Sequence, residues 1–194
     1  RSIGKISNYN ILSVGRIVER KGFHNLILAT KKLVNDFPKI HTNIVGDGPY
    51  IKELERLIKI NNLESYVTLH GKISDENLAK LYSDSQLFVL AHMMLKNGDT
   101  EGCPTVFSEA SGQGIPVIGG IDAGASTVIV DGVTGFIVNS RDIDELSDRI
   151  KKILSDNKLA KSMGEQGIKK IMKDHTPTVI GNLFTESISK ILAK

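Results

Sequence analysis

A single cysteine, Cys103, is the only thiol in 194 residues. It excludes an internal disulfide, and such a chain is expected in a reducing compartment. No apolar run approaches the roughly 20 residues needed to span a bilayer. Residues 1–10 lack the apolar stretch of a signal peptide and begin without an initiator methionine. The chain opens abruptly on a strand, as expected of a piece of a longer protein. Charge of one sign is scarce: 25 Lys plus Arg stand against 22 Asp plus Glu. That surplus is too small to argue for nucleic acid, which asks for a clustered basic face. His24, His41, His70, His92 and His175 have no metal-ligand spacing. Each is read as surface or satisfied core, with His92 set apart because it ends a strand near the loop singled out below. Repeats and low-complexity segments are absent too. What remains is the composition of an ordinary globular chain, long enough for one good core or two small ones.

Strands and helices alternate along it. Residues 9–14 form an apolar run closed by Gly15 and read as a strand. Phe23, Leu26, Ile27, Ala29, Leu33 and Val34 recur at helical spacing, predicting a helix over 23–37 that Pro38 stops. Residues 40–45 are a second strand, closed by Gly46-Asp47-Gly48. Pro49 sits where a first helical turn accepts it, and Ile51, Leu54, Leu57 and Ile58 form the buried stripe. A third strand over 66–69 ends at His70-Gly71, and Ser74 caps a helix to about residue 82. Strand 87–91 leads into a loop over 92–102 and a helix over 104–112. Strand 115–118, a short helix over 126–130 and strand 135–138 follow. Helices over 143–154, 159–172 and 179–193 close the chain. This alternation predicts one doubly wound α/β domain, its mostly parallel sheet covered by helices on both faces. Ligands of such sheets bind outside the carboxyl ends of the strands.

Those ends hold the informative residues. Glu101 and Glu109 stand eight positions apart, separated by a small-residue turn and a helix start. A buried apolar core has no use for two glutamates so placed. A nucleotide-sugar does: one carboxylate holds sugar hydroxyls, the other ribose hydroxyls. Gly102 permits close backbone approach, Pro104 presets the first turn, and the amides near Thr105 and Val106 are available to phosphate or sugar oxygens. Upstream, Gly15 turns the chain tightly, and Arg16 leaves the strand end with a fork that grips two phosphate oxygens. Lys21 adds a compact charge just before a helix start, completing a diphosphate site without metal. The alternative for Arg16 and Lys21 is solvated charge with a capping role. For the glutamates it is a loop carboxylate and an ordinary helix-surface residue. Cys103 is read as a small packed residue. Gly46-Asp47-Gly48-Pro49 lacks the third glycine of a dinucleotide fingerprint and reads as a turn before a helix. Lys151-Lys152 and Lys169-Lys170 read as solvated helix faces, with contact to anionic lipid headgroups as the alternative.

Several ordered stretches carry a resemblance. They are Val14-Gly15-Arg16-Ile17 with Arg20-Lys21-Gly22, Val45-Gly46-Asp47-Gly48-Pro49, residues 67–71, Glu101 through Glu109-Ala110, Gly114-Ile115-Pro116-Val117-Ile118, and Val130-Asp131-Gly132-Val133-Thr134-Gly135-Phe136. Together, in order and spacing over residues 9–156, the chain resembles the C-terminal, donor-binding domain of family-four retaining glycosyltransferases, the "glycosyl transferases group 1" domain. Residues 97–104 further resemble bacterial enzymes of exopolysaccharide, capsule or lipopolysaccharide synthesis.

The resemblance implies a Rossmann-like domain that is one half of a GT-B fold. It implies that Arg16 and Lys21 bind the donor diphosphate and Glu109 the ribose. Glu101, with the backbone of Gly102, Cys103, Pro104 and Thr105, positions the transferred sugar, and the backbone at Lys72 and Ile73 meets the base. The donor is a nucleotide-diphosphate sugar such as a UDP- or GDP-sugar. The family needs no metal and no cofactor, and retains anomeric configuration. Residues 1–194 correspond to the donor domain alone. An N-terminal domain contacting a glycan or lipid-linked acceptor is the expected partner, and the helix over 179–193 is expected to pack toward it. The fragment alone is expected to bind donor weakly and to transfer no sugar. The expected location is cytoplasmic, with peripheral contact at the inner face of the membrane, and no nucleic acid partner. In one departure, Thr127 stands where the family often carries a carboxylate. The alternatives are a GT-B epimerase or phosphorylase, whose further acid-base residues or cofactor lysine are not seen, and a non-catalytic binding module, which predicts loss of Arg16, Lys21 or Glu109. A nicotinamide-dependent Rossmann protein is excluded by the missing glycine fingerprint.

Overall fold

The computed structural model describes residues 9–100, 102, 105–122, 124–176, 178, 179, 181 and 185. In chain order the elements are β1 (Tyr9–Val14), α1 (Phe23–Leu33), β2 (Ile40–Val45), α2 (Ile51–Ile60), β3 (Val67–Leu69), α3 (Asp75–Asp84) and β4 (Leu87–Leu90). They continue with α4 (Thr105–Gly112), β5 (Val117–Gly120), β6 (Gly135–Val138), α5 (Ile143–Ser155) and α6 (Asn157–Asp174). Short 3-10 turns lie at Glu19–Lys21 and Gly124–Thr127. The six strands form one sheet in the order β3-β2-β1-β4-β5-β6. Every pairing is parallel, so the sheet is wholly rather than mostly parallel.

The order explains the two layers of helices. Right-handed crossovers place α1 and α2 on one face while the chain steps from β1 to β3. The return to β4 and onward to β5 puts α3 and α4 on the other. Side chains in β4 alternate accordingly. Phe88 stacks on Tyr82 of α3 and meets Phe107 of α4 edge-on. Leu87 and Val89 pack instead with Leu26 of α1 and with Leu146 and Ile150 of α5. Burying each such large apolar side chain contributes about 1.5–3 kcal/mol. Helix α6 starts against the second of these clusters with Met163 and reaches the first with Ile171.

Capping follows the sequence. Ser74 Oγ accepts the Asn77 N–H at 3.3 Å ahead of α3. Asp142 caps α5, accepting the Glu145 N–H at 2.9 Å. Asp156 alone separates α5 from α6 and caps the latter through the N–H groups of Lys158 and Leu159.

Some boundaries differ from expectation, each for a tertiary reason. Helix α1 ends at Leu33, not residue 37. Pro38 disfavours helical geometry at Phe37, whose ring instead packs edge-on against Tyr9 at 4.9 Å. Pro49 precedes α2 rather than opening it, because Tyr50 is its N-cap. Strand β5 runs two residues later than the predicted 115–118. Gly119 and Gly120 do not end the strand; they are glycines because the strand is hemmed in there. A Cβ on Gly120 would lie 1.8 Å from the His92 carbonyl oxygen. The short helix predicted over 126–130 is the 3-10 turn at Gly124–Thr127. Most of the helix expected over 179–193 lies outside the described residues.

Candidate functional site

Strands β1 and β4 are neighbours, and the connections leave them in opposite directions. The loops at their carboxyl ends therefore diverge and leave a crevice between them. At its floor the Ser13 hydroxyl donates to the Val89 carbonyl at 2.5 Å, joining β1 to β4.

Beyond β1 the chain turns through Gly15 into Arg16 and Ile17. Ile17 is fully buried. Its N–H donates to the Asp47 carbonyl at 2.9 Å, and its own carbonyl accepts the Tyr50 N–H at 3.1 Å. With Ile17 anchored, the Arg16 side chain is exposed at the crevice. The 3-10 turn at Glu19–Lys21 then carries Lys21 back over the strand end. Its Nζ lies 3.7 Å from the point a Cβ on Gly15 would occupy. Lys21 thus lies over the glycine that Arg16 follows in the chain.

Gly22 makes that return possible. It has a φ of +68°, and a Cβ there would sit 1.7 Å from the Ala91 carbonyl oxygen. Beside it, the Met93 N–H donates to the Arg20 carbonyl at 2.8 Å. The backbone from Arg20 to Gly22 therefore lies directly on the loop that leaves β4.

On the other side of Arg16 a cleft of about 640 Å³ opens, lined by residues 14–16 and 45–48 and by Lys72, Ile73 and Leu78. Lys72 is exposed, and Ile73 packs partly against the core. The structure brings these two predicted residues into one cleft with Arg16. The Gly46 N–H donates to the Gly71 carbonyl at 2.9 Å, which fixes the β3 loop beside the β2 loop.

Thr105 opens α4 and is exposed. Because α4 follows β4, its first amides lie at the carboxyl end of the sheet. The Gly102 carbonyl accepts the Gly124 N–H at 2.7 Å. Glu101, Cys103 and Pro104 lie outside the described residues. Glu109 is exposed on α4 and accepts a hydrogen bond from the Tyr82 hydroxyl at 2.9 Å. Tyr82 itself is buried. Burial, reinforced by the Glu109 charge, pushes its phenol well above the usual tyrosine range. The hydroxyl keeps its proton and donates.

Sequence reasoning missed the groups that hold the loop after β4. Arg20 pairs with Asp99 at 3.1 Å. Asp122, after β5, accepts the Met94 N–H at 3.1 Å and an Arg141 N–H at 2.5 Å through one oxygen. The Met94 amide, then Arg141, hold its carboxyl below the usual range. Arg141 also donates to the Met94 carbonyl, and the Thr100 hydroxyl to the Asp122 carbonyl at 3.0 Å. Charges scattered in four loops carry no local periodicity that would have flagged them. His92 is fully buried, with Nδ1 3.0 Å from the Leu90 carbonyl and its ring 5.7 Å from Phe107. It belongs to the packing beneath the site. Among the described residues no three His, Cys, Asp or Glu side chains gather as metal ligands. No described helix is long and apolar enough to cross a membrane.

The family model for glycosyl transferases group 1 matches residues 5–170. The chain belongs to that family. A GDP-mannose-dependent alpha-(1-6)-phosphatidylinositol monomannoside mannosyltransferase of Mycolicibacterium smegmatis is 32% identical over 158 residues, covering 81% of this chain and 41% of the relative. The putative colanic acid biosynthesis glycosyltransferase WcaL of Salmonella typhimurium is 26% identical over 93% of this chain and 45% of its own length. Anabaena HepE, solved with UDP, superposes with a TM-score of 0.84 at 23% identity, covering 94% of this chain and 49% of that one. That likeness shows the shared fold: this group 1 domain is a six-stranded parallel α/β unit of the kind found in GT-B enzymes. The chain spans less than half the length of these relatives.

Proposed function

We propose that this chain is the donor-binding half of a glycosyltransferase. The whole enzyme moves a hexose or related sugar from a nucleotide-diphosphate sugar to a glycan or lipid-linked acceptor, with retention and without a required metal. The setting is synthesis of surface polysaccharide or glycolipid at the cytoplasmic face of a membrane. The acceptor contacts belong to a second, N-terminal domain. One observation carries the reading: Arg16 and Lys21 attend Gly15 at the end of β1, while Glu109 stands exposed on the helix that follows β4.

The chemistry of glycosyl transfer matches this set. As the sugar leaves, charge builds on the diphosphate. The Arg16 fork and the Lys21 ammonium neutralise it in place, and each charge-assisted hydrogen bond contributes about 1.5–3 kcal/mol. The first amides of α4 add donors at the same end. Glu109 accepts from the ribose diol. The cleft beside Lys72 and Ile73 has the apolar wall and backbone edge that a base requires. Glu101 is assigned to the sugar hydroxyls through the family motif, and its neighbours Thr100 and Gly102 are both tied to the segment after β5. Support for a lipid-linked acceptor comes from the mycobacterial relative, which is named for mannosylating a phosphatidylinositol mannoside.

Calorimetric titration of the chain with UDP, GDP and ADP, with and without magnesium, tests the reading. Saturable binding of one nucleotide in the absence of metal is expected, weakened about tenfold or more by Arg16→Ala. A folded sample that binds none of the three would overturn it.

A further inference from the structure

We infer that Tyr82 is a positioning residue, whose hydroxyl orients the Glu109 carboxylate for the ribose of the donor. The inference rests on the reading of Glu109 as the ribose acceptor. It adds a residue from a different helix, 27 positions away in sequence.

The two partners sit in opposite surroundings. Tyr82 is 3% exposed, on α3, while Glu109 is exposed on α4. A free glutamate side chain loses rotamer entropy when a ligand fixes it. Here part of that ordering is made before any ligand arrives, because the donor cannot move. The Tyr82 ring is stacked on Phe88 at 6.0 Å with 15° between planes, and Phe88 meets Phe107 edge-on at 5.9 Å. Phe107 belongs to α4, the helix that bears Glu109. One aromatic stack therefore sets both the helix carrying the carboxylate and the hydroxyl that holds it.

The bond reaches one oxygen, Oε2, from the buried side. Oε1 and the second lone pair of Oε2 remain for a vicinal diol. The phenol is held in its protonated form by burial, so it acts as a permanent donor across the working pH range. Packing alone needs only the ring, which phenylalanine supplies equally well. The hydroxyl is the part that bears on the ligand, and its effect is confined to ligands that carry the diol.

The test compares the affinity of the chain for whichever of UDP, GDP and ADP it binds with that for the 2′,3′-dideoxy form of the same nucleotide. Tyr82→Phe is expected to weaken the ribonucleotide that binds by about fivefold while leaving its dideoxy counterpart unchanged. Glu109→Gln is expected to weaken the same ribonucleotide further, with Tyr82→Phe adding little on that background. Equal loss for both ligands, or no loss, in a folded Tyr82→Phe variant overturns the role of Tyr82 and leaves Glu109 untouched. If Glu109→Gln shows no loss specific to the diol, or if the unmodified chain binds none of UDP, GDP and ADP, the reading of the site itself fails and this inference fails with it. Should Tyr82→Phe not fold, a fluorotyrosine at position 82 keeps the shape and strengthens the donor. Ribonucleotide affinity then rises, and an unchanged affinity overturns the proposal.

Discussion

Asp122 holds Arg141 at 2.5 Å, and the same carboxylate oxygen accepts the Met94 N–H at 3.1 Å. Three loops, after β4, β5 and β6, are thereby joined at the edge of the proposed sugar site. The folded carboxyl lies below its ordinary 3.8, so on acidification the unfolded chain takes the proton first. The contribution of Asp122 is full above about pH 4 and disappears as pH falls through the lower folded value. Asp122→Asn is expected to cost about 1 kcal/mol at neutral pH. Melting curves at stepped pH should show the difference from wild type shrinking below that point. A difference that persists unchanged at lower pH would count against the role of the charge.

Two glycines with similar backbone angles predict different costs. Gly22 has φ +68° and a Cβ position 1.7 Å from the Ala91 carbonyl, whereas Gly71 has φ +64° and nothing within 4 Å. Gly71→Ala should cost only the left-handed penalty, about 1–2 kcal/mol. Gly22→Ala should cost about 3 kcal/mol or more, because backbone must separate from backbone. Urea denaturation measures both. Equal costs would mean that the contact of residues 20–22 with the β4 loop is loose.

Histidines outside the site should govern stability in mild acid. Burial lowers the pKa of His24, against the opposing effect of Glu19 and Glu53. Burial also lowers that of His70, with a further lowering from His41. A depressed histidine leaves the unfolded chain protonating first, near 6.5. Stability from these groups is therefore full above that pH and falls as the medium is acidified through their folded values. Replacing His24 with Leu and His70 with Asn should flatten the decline in melting temperature between about pH 6.5 and pH 5. An unchanged slope would assign the decline elsewhere.

The diphosphate reading predicts a charge signature. Nucleotide affinity should fall as salt rises, and the dependence should weaken in Lys21→Ala and in Arg16→Ala. Arg16→Lys should recover only part of the loss, since a point charge replaces a two-pronged donor. Titrations at two ionic strengths check this. A salt dependence that survives both alanine variants would place the phosphates elsewhere.

Much of the fold was legible because burial writes periods into the chain. Leu54 and Ile58, or Leu26 and Leu33, mark helix faces directly, strands β1 and β4 read as short apolar runs, and β2 was bounded by Gly46-Asp47-Gly48. The boundaries that shifted did so where a distant residue intervened. Phe37 left its helix for Tyr9, and Gly119 and Gly120 stayed in their strand because Phe107 and the His92 carbonyl lie against them. At the site, Arg16, Lys21 and Glu109 were visible as charged residues beside turns and helix starts. Tyr82 was not: it stood only as the end of a helix, and its partner lies on another helix. Asp122 and Arg141 carried no local signal at all, and Asp99 stood only within the stretch 97–104, because their partners lie in other loops.

The sequence by itself determined the alternation of strands and helices, the family, and the residue types at each strand end, because periodicity, turns and caps act over a few residues. Only the tertiary structure decided that Lys21 folds back over Gly15 beside Arg16, that Gly22 rests on Ala91, and that Tyr82 holds Glu109. Those distances follow from strand order. The order is set by burying both faces of the sheet under right-handed crossovers, a condition on the whole chain that no local stretch contains.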